Sequence, residues 1–121
     1  MNIAFNFVPL DEEFGYESAM FLQIYTVLPF TWDINRIDDL GKLILNLNNR
    51  VLLGLFGIKD GRELYYRYVY SSPVDDIINI GEFMDNFDLY LLMFNMFEEY
   101  VEKVSTGEST LQEALDEIEN M

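Results

Sequence analysis

The sequence predicts a single α+β domain over residues 1–121, with a mainly antiparallel sheet of about four strands and helices on one face. Three observations lead to this fold class. Two segments near the start alternate apolar and polar side chains, which is typical of strands. An Asp-Gly pair between two apolar runs indicates a β-hairpin. Two further segments, one on each side of the hairpin, repeat apolar residues every three or four positions, as helices do.

The first two strands are expected at residues 2–8 and 19–28. Pro9 and Pro29 follow the strands and end them, because proline cannot donate a ladder hydrogen bond. The apolar side of these strands carries, in order, Ile3, Phe5, Phe7, Met20, Leu22, Ile24 and Leu28. An acidic loop over residues 11–17 is expected to join the two strands.

A helix is predicted between residues 34 and 47. Its apolar face consists of Ile34, Ile37, Leu40, Ile44 and Leu47. Asp33 is the expected N-cap, with Thr31 as the alternative, because both side chains can accept a hydrogen bond from a free backbone amide. Asn48 and Asn49 are expected to end the helix, since Asn tolerates the left-handed backbone conformation.

The hairpin is expected to join strands at residues 51–58 and 63–71 by a turn at Asp60-Gly61, because both central positions of a two-residue type I′ turn need a positive φ. This turn pairs Leu55 with Tyr66 on an uncharged side, which is expected to face the core together with Tyr68 and Tyr70. The opposite side is expected to be partly exposed to water. It carries Glu63, Tyr65 and Arg67 opposite Ile58, Phe56 and Gly54.

The longest predicted helix begins near residue 80 and runs to about Val104. Its core side repeats at alternating spacings of four and three residues, through Phe83, Phe87, Tyr90, Phe94, Phe97, Val101 and Val104. A second line on the opposite side carries Asp85, Asp88, Leu92, Asn95, Glu99 and Glu102. Leu92 therefore interrupts an acidic line. Because other apolar residues flank it, the middle of this helix is apolar around most of its circumference.

This apolar circumference predicts self-association, because a surface helix of a monomer normally has a polar back. A second copy of the chain is the simplest cover for the excess apolar surface, so a homodimer is expected. The residues expected at this dimer or partner interface are Leu89, Leu92, Met93, Met96 and Tyr100.

A short helix is expected to end the chain after a break at Thr106-Gly107. Thr110 and Glu113 have the spacing of a capping box, in which each side chain bonds the other residue's backbone amide. The apolar face of this helix carries Leu111, Leu115 and Ile118.

The charge of the chain argues against several partners. The 22 acidic and 7 basic side chains give a net charge of −15 at pH 7. Nucleic acids and anionic membranes are not expected as partners, because binding them needs clusters of Lys and Arg. The chain has no apolar run long enough to span a membrane and no signal-peptide pattern, so a soluble, cytoplasmic protein is expected. Residues 82–121 are the most acidic part, with eleven acidic side chains against Lys103.

The missing residue types limit the chemistry. With no His and no Cys, the chain cannot form a Ser-His-Asp triad, a Cys-His pair, a structural zinc site or a disulfide. Adjacent carboxylates occur, but neighbours on a helix point about 100° apart and rarely share a ligand. No catalytic residue, metal or cofactor is predicted, and the acidic residues are interpreted as a solvated surface.

Tyr65 and Arg67 are the candidate ligand contacts on the wetter side of the hairpin. Tyrosine is enriched at interfaces, and arginine can bind a carboxylate through two hydrogen bonds. A structural interpretation of Arg67 is favoured, in which its stem covers neighbouring rings and its guanidinium pairs with a local acid such as Glu63.

Four runs of residues resemble the YbjN-type family of sensory-transduction regulators. They are FLQIY at 21–25, LPF at 28–30, LNLNN at 45–49 and LGLFGIKDGRELYYR at 53–67. The resemblance extends over residues 19–120 and consists of apolar residues and glycines. It implies the fold of the small dimeric chaperones of type III secretion, which bind an extended segment of a client protein. The sequence departs from that pattern at one point, because no helix is expected before its first strand: either this member dispenses with that helix or the chain is trimmed.

Together these observations predict a non-enzymatic protein-binding or regulatory domain that acts as an acidic, chaperone-like homodimer with a protein client. Two alternatives stay open. An acidic immunity protein or nucleic-acid mimic would use the C-terminal acids to block a basic partner, and its binding would weaken with salt. A carboxylate-dependent hydrolase would combine acidic residues with Arg67 and a tyrosine.

Overall fold

The computed structural model describes residues 3–8, 19–73 and 80–121, which form one sheet and three α-helices. The strands are β1 (Ile3–Phe7), β2 (Ala19–Val27), β3 (Leu55–Lys59) and β4 (Glu63–Pro73). The helices are α1 (Ile37–Asn48), α2 (Ile80–Thr106) and α3 (Leu111–Glu119). The acidic loop expected at residues 11–17 lies outside the described residues.

The sheet has the strand order β1-β2-β4-β3, and each neighbouring pair is antiparallel. β2 and β4 form its centre, with aligned residues from Ala19 opposite Pro73 to Val27 opposite Tyr65. α2 packs against β4, whereas α1 packs against β3, α2 and α3. The α+β fold class predicted from the sequence is therefore confirmed.

The core lies between one face of the sheet and the helices. Tyr66 is fully buried at its centre. Its ring stacks on both Phe56 and Tyr90, with 4.6 Å between ring centroids in each case. Stacked aromatic pairs stabilise a core beyond the area that they bury. Tyr70 is also buried and Tyr68 is partly buried and packs against the core, as the sequence predicted.

One polar network crosses this core. The Tyr90 hydroxyl donates to the Tyr66 carbonyl oxygen at 2.8 Å, and it lies 2.6 Å from the Thr26 hydroxyl, which is then free to donate to it. Burial raises the pKa of Tyr90 to about 12, and the hydrogen bond with Thr26 opposes this rise. The Tyr90 hydroxyl therefore pairs with a buried polar group of Thr26 and with one of Tyr66, which fixes α2 relative to β2 and β4.

The turn of the hairpin forms where the sequence predicted it. Asp60 and Gly61 both have a positive φ, of 54° and 68°, and the Arg62 amide donates to the Lys59 carbonyl oxygen at 3.1 Å. Lys59 nevertheless pairs with Glu63, so Arg62 is one residue more than a two-residue turn allows. The predicted register of the hairpin was wrong by one position.

This shift reverses the two faces of β3, because successive side chains of a strand point to opposite sides. Phe56 lies opposite Tyr66 and is buried, whereas Leu55 lies opposite Arg67 and is exposed. The sequence had paired Leu55 with Tyr66 in the core. The faces of β4 were predicted correctly. The side that carries Tyr66 and Tyr70 is buried, and the side that carries Tyr65 and Arg67 is only partly buried.

The helix ends follow the sequence in two of three places. The Asp33 side chain accepts from the Asn35 amide at 3.0 Å and caps the turn that leads into α1. Thr110 and Glu113 form the predicted capping box of α3. α1 ends at the predicted asparagines. The left-handed conformation expected there was wrong, because Asn49 has a φ of −77° and is right-handed.

Asn48 closes part of the free edge of β3. Its side-chain oxygen accepts from the Phe56 amide at 2.8 Å, and its side-chain nitrogen donates to the Phe56 carbonyl oxygen at 2.9 Å. An edge strand carries unpaired backbone groups that can pair with another chain. The last residue of α1 therefore satisfies both outward backbone groups of Phe56 and holds β3 against the helix.

Candidate functional site

The long helix α2 has one buried side and one exposed side. Its buried side contains most of the predicted core line and adds Met93 and Ser105. The opposite line is exposed along its whole predicted length, through Asp85, Asp88, Leu92, Asn95, Glu99 and Glu102. The sequence therefore placed both lines of α2 correctly. None of the helices in the described residues is long and apolar enough to cross a membrane.

The exposed apolar residues in the middle of α2 form a strip beside the acidic line. Leu92 is 53% exposed and Met96 is 38% exposed, and they are neighbours at a spacing of four residues. Leu89 and Tyr100 continue the strip on either side and are partly buried. We call these four residues, together with the adjoining Leu52, the α2 patch.

Met93 does not belong to the α2 patch, although the sequence placed it at the interface. Only 5% of its surface is exposed, so its side chain is part of the core of a single chain. The loop after α1 covers it, and the Leu52 amide donates to the Met93 sulfur at 3.5 Å. Leu52 itself is 75% exposed. The sequence missed Leu52 because that residue was placed in a strand that begins only at Leu55.

A second exposed apolar surface lies at the edge strand β1. Phe5 and Phe7 are both exposed there, and the centroid of the Phe5 ring lies 5.5 Å from that of the Phe87 ring of α2. Ile80 and Met84 are exposed as well, and they lie three residues before Phe83 and Phe87, whose rings contact Phe5. We call Phe5, Phe7, Ile80 and Met84 the β1 surface. The sequence predicted that Phe5 and Phe7 share one side of β1, because they are two residues apart in a strand.

The C-terminal acids lie on an exposed surface formed by the end of α2 and by α3. Its members include Glu99, Glu102, Glu108, Glu113, Asp116, Glu117 and Glu119. Lys103 donates to Glu99 at 3.0 Å and is the basic residue within this surface. Desolvation, with a further contribution from Glu102, raises the pKa of Glu98. The acidic C-terminal third predicted from the sequence is therefore a real surface feature.

Tyr65 lies on the face of the sheet that points away from the helices. Its ring stacks on the ring of Tyr25, with 5.1 Å between centroids. The Tyr25 hydroxyl donates to the Glu63 carboxylate at 2.5 Å. Partial burial and this contact with Glu63 raise the pKa of Tyr25. Tyr65 is thus held in an aromatic pair, with part of its ring still accessible.

Arg67 lies on the same face, between β2 and β3. Its Nε donates to the Gln23 side-chain oxygen. The expected pairing of Arg67 with Glu63 was therefore wrong, because Glu63 accepts from Tyr25 instead. No pattern in the sequence indicated Gln23, which lies 44 positions from Arg67 in the chain. Tyr65 and Arg67 do share one face, as predicted.

A cleft of about 560 Å³ opens where β2 ends and the hairpin turn begins. It is lined by Val27, Leu28, Phe30, Thr31, Trp32, Ile34, Arg62, Glu63 and Leu64. The Trp32 indole donates to the Arg62 carbonyl oxygen at 2.8 Å and so joins its two walls. The sequence did not predict this cleft, because its walls come from two segments about 30 residues apart.

The hydrolase alternative called for acidic residues beside Arg67 and a tyrosine. In the described residues, Glu63 is the acid on that face and is bonded to Tyr25, while Arg62 rather than Arg67 lines the cleft. The same residues contain no group of three or more acids placed to hold a metal ion.

Comparison with protein-family models, with curated proteins and with solved structures finds no match to this chain. The resemblance to the YbjN-type family therefore stays a prediction from the sequence.

Proposed function

We propose that the protein is a non-enzymatic, protein-binding or regulatory domain that acts as a homodimer in a chaperone-like manner. The observation that carries this proposal is the exposure of Leu92 and Met96 in the middle of a helix whose other side is fully used by the core. Exposed apolar surface of this kind, next to charged residues, is typical of protein interaction sites.

A second copy of the chain is the occupant that the α2 patch favours. In a two-fold dimer the same patch serves both copies, so no second complementary surface is needed. Leu92 and Met96 of each copy would contact the partner and become buried from solvent. Exposed Leu52 beside Met93 widens the patch beyond α2 itself, which gives the contact an apolar centre with a polar rim.

The β1 surface supports the chaperone-like part of the proposal. β1 is the last strand at its edge of the described sheet, and an extended client segment could pair with such an edge. Phe5 and Phe7 would then contact apolar side chains of the client. This surface shares no residue with the α2 patch, so each copy in a dimer could hold a client.

Sedimentation equilibrium of the purified protein at micromolar concentration tests the dimer. The expected mass is twice the 14.3 kDa of one chain. Association should become tighter as salt is added, because salt screens the repulsion between two chains that each carry −15. A mass of 14.3 kDa at every micromolar concentration and salt level contradicts the proposal.

A second candidate function follows from the exposed acids of α2 and α3. An immunity protein or nucleic-acid mimic would bind a basic partner through this surface. Such binding would be weakened by salt, which is opposite to the expected behaviour of contacts through the α2 patch. The salt dependence of partner binding therefore distinguishes the two candidates.

A further inference from the structure

We infer that the cleft beside Trp32 binds a small amphiphilic carboxylate, that is, an anion with one carboxylate group and an apolar chain. The inference goes beyond the proposed function, because the cleft shares no residue with the α2 patch or the β1 surface. It depends on the shape and lining of the cleft and on the charges at its rim.

The size and the apolar lining of the cleft suit the apolar chain of the ligand. The cleft has a volume of about 560 Å³, within the range of about 300–1,000 Å³ that is typical of small-molecule sites. Val27 and Ile34 line it and are among the exposed apolar residues of the chain. A bound hydrocarbon would remove both side chains from water, and this burial favours binding.

Arg62 is the group at the rim that favours an anion. Glu63 also lines the cleft and keeps its negative charge, but its carboxylate accepts the Tyr25 hydroxyl at 2.5 Å on the face of the sheet that carries Tyr65. Arg62 is exposed, and within residues 3–8, 19–73 and 80–121 the structure records no ion pair for it. Its guanidinium can therefore hold a carboxylate through two parallel hydrogen bonds. A neutral head group would gain no such contact with Arg62, and a cationic one would be repelled by it.

The walls of the cleft are formed before any ligand binds. The Trp32 indole bonds the Arg62 carbonyl at 2.8 Å, and the Leu28 amide bonds the Leu64 carbonyl at 2.9 Å. The next segment is fixed to α2 by the Asp33 amide, which donates to the Ser105 carbonyl at 3.3 Å. A preformed site has little conformational freedom to lose on binding.

The emission of Trp32 gives a direct measurement, because it is the chain's single tryptophan. The intact protein is titrated with octanoate, octanol and octylammonium, each below the concentration at which it forms aggregates. Octanoate is expected to change the emission saturably and to bind at least about tenfold more tightly than the other two. The overall charge of −15 attracts octylammonium, so a preference for octanoate can come only from a local positive group.

Two variants locate the binding. Arg62→Gln removes the guanidinium charge and should weaken octanoate binding by at least about tenfold, the equivalent of one charge-assisted hydrogen bond. Ile34→Glu places an acid in the lining and should abolish binding. Lys59→Gln removes a cation of the same hairpin that does not line the cleft, so its affinity should stay within about twofold of the original.

Three results would overturn the inference. The first is a Trp32 emission that does not change saturably with octanoate. The second is equal affinity for octanoate and octylammonium, which would indicate an unselective apolar surface. The third is unchanged octanoate binding in the Arg62→Gln protein. Because Arg62 and Ile34 are exposed, both variants should keep the circular dichroism spectrum of the original protein.

Discussion

The variant Tyr66→Ala is expected to lose about 3–5 kcal/mol of unfolding free energy, the range found when large aromatic side chains are removed from cores. Tyr66 is fully buried and stacks on both Phe56 and Tyr90. Its hydroxyl donates to the Leu53 carbonyl oxygen and holds the segment before β3. Removing the ring therefore leaves a cavity where β3, β4 and α2 meet. Urea denaturation followed by circular dichroism measures the loss.

Tyr66→Phe is the matched control, because it keeps the stacked ring and removes only the hydroxyl. Its expected cost is about 1 kcal/mol, the usual net value of one hydrogen bond, plus any cost of the unpaired Leu53 carbonyl. Equal losses for Tyr66→Ala and Tyr66→Phe would contradict the central role of the stacked rings. A loss below about 1 kcal/mol for Tyr66→Ala would show that the core does not depend on this position.

The double variant Leu92→Asp with Met96→Asp is expected to be a folded monomer. Both side chains are exposed in the single chain, so the change should cost the fold little. In the dimer the new carboxylates would be buried without partners, which is strongly unfavourable. The apparent mass from sedimentation equilibrium should therefore fall from twice 14.3 kDa to 14.3 kDa.

A second double variant, Ile80→Asp with Met84→Asp, controls for this result. It makes the same chemical change at the same spacing on the same helix, at two other exposed apolar positions. Because these residues belong to the β1 surface, the protein should remain a dimer. If this control becomes a monomer while the Leu92 and Met96 variant stays a dimer, the interface lies at the β1 surface and the assignment to the α2 patch is wrong.

The sequence was sufficient for the parts of the fold that depend on local periodicity. The two lines of α2, the cap at Asp33 and the capping box at Thr110 each follow from residues within one or two helical turns. The α+β fold class follows in the same way, since strand and helix periods are distinct. For the same reason the exposed position of Leu92 could be predicted.

The register of β3 could not be predicted, because it depends on contacts between separate elements. The turn at Asp60-Gly61 has the predicted backbone conformation, and one extra residue, Arg62, still changes every side-chain partner. Asn48 holds the Phe56 backbone from the end of α1, which fixes where β3 lies. Neither effect is visible in the alternation of apolar and polar residues around the hairpin.

The burial of Met93 and the existence of the cleft also depend on contacts between separate elements. Met93 lies at the boundary between the core side of α2 and the α2 patch, and only the position of the loop at Leu52 decides that it is buried. The cleft combines Trp32 with Arg62, which come from different elements. Sequence spacing within one element contains no information about such pairs.

Oxidation of methionine by dilute peroxide tests the α2 patch most directly, because the protein provides its own controls. Met96 is 38% exposed and Met84 is 45% exposed in a single chain, so a monomer should oxidise both at similar rates. The dimer should protect Met96 while Met84 and Met121 react, and dilution below the dissociation constant should remove this protection. Peptide mass spectrometry measures each rate. Equal rates for Met96 and Met84 at every protein concentration would contradict the proposed dimer surface.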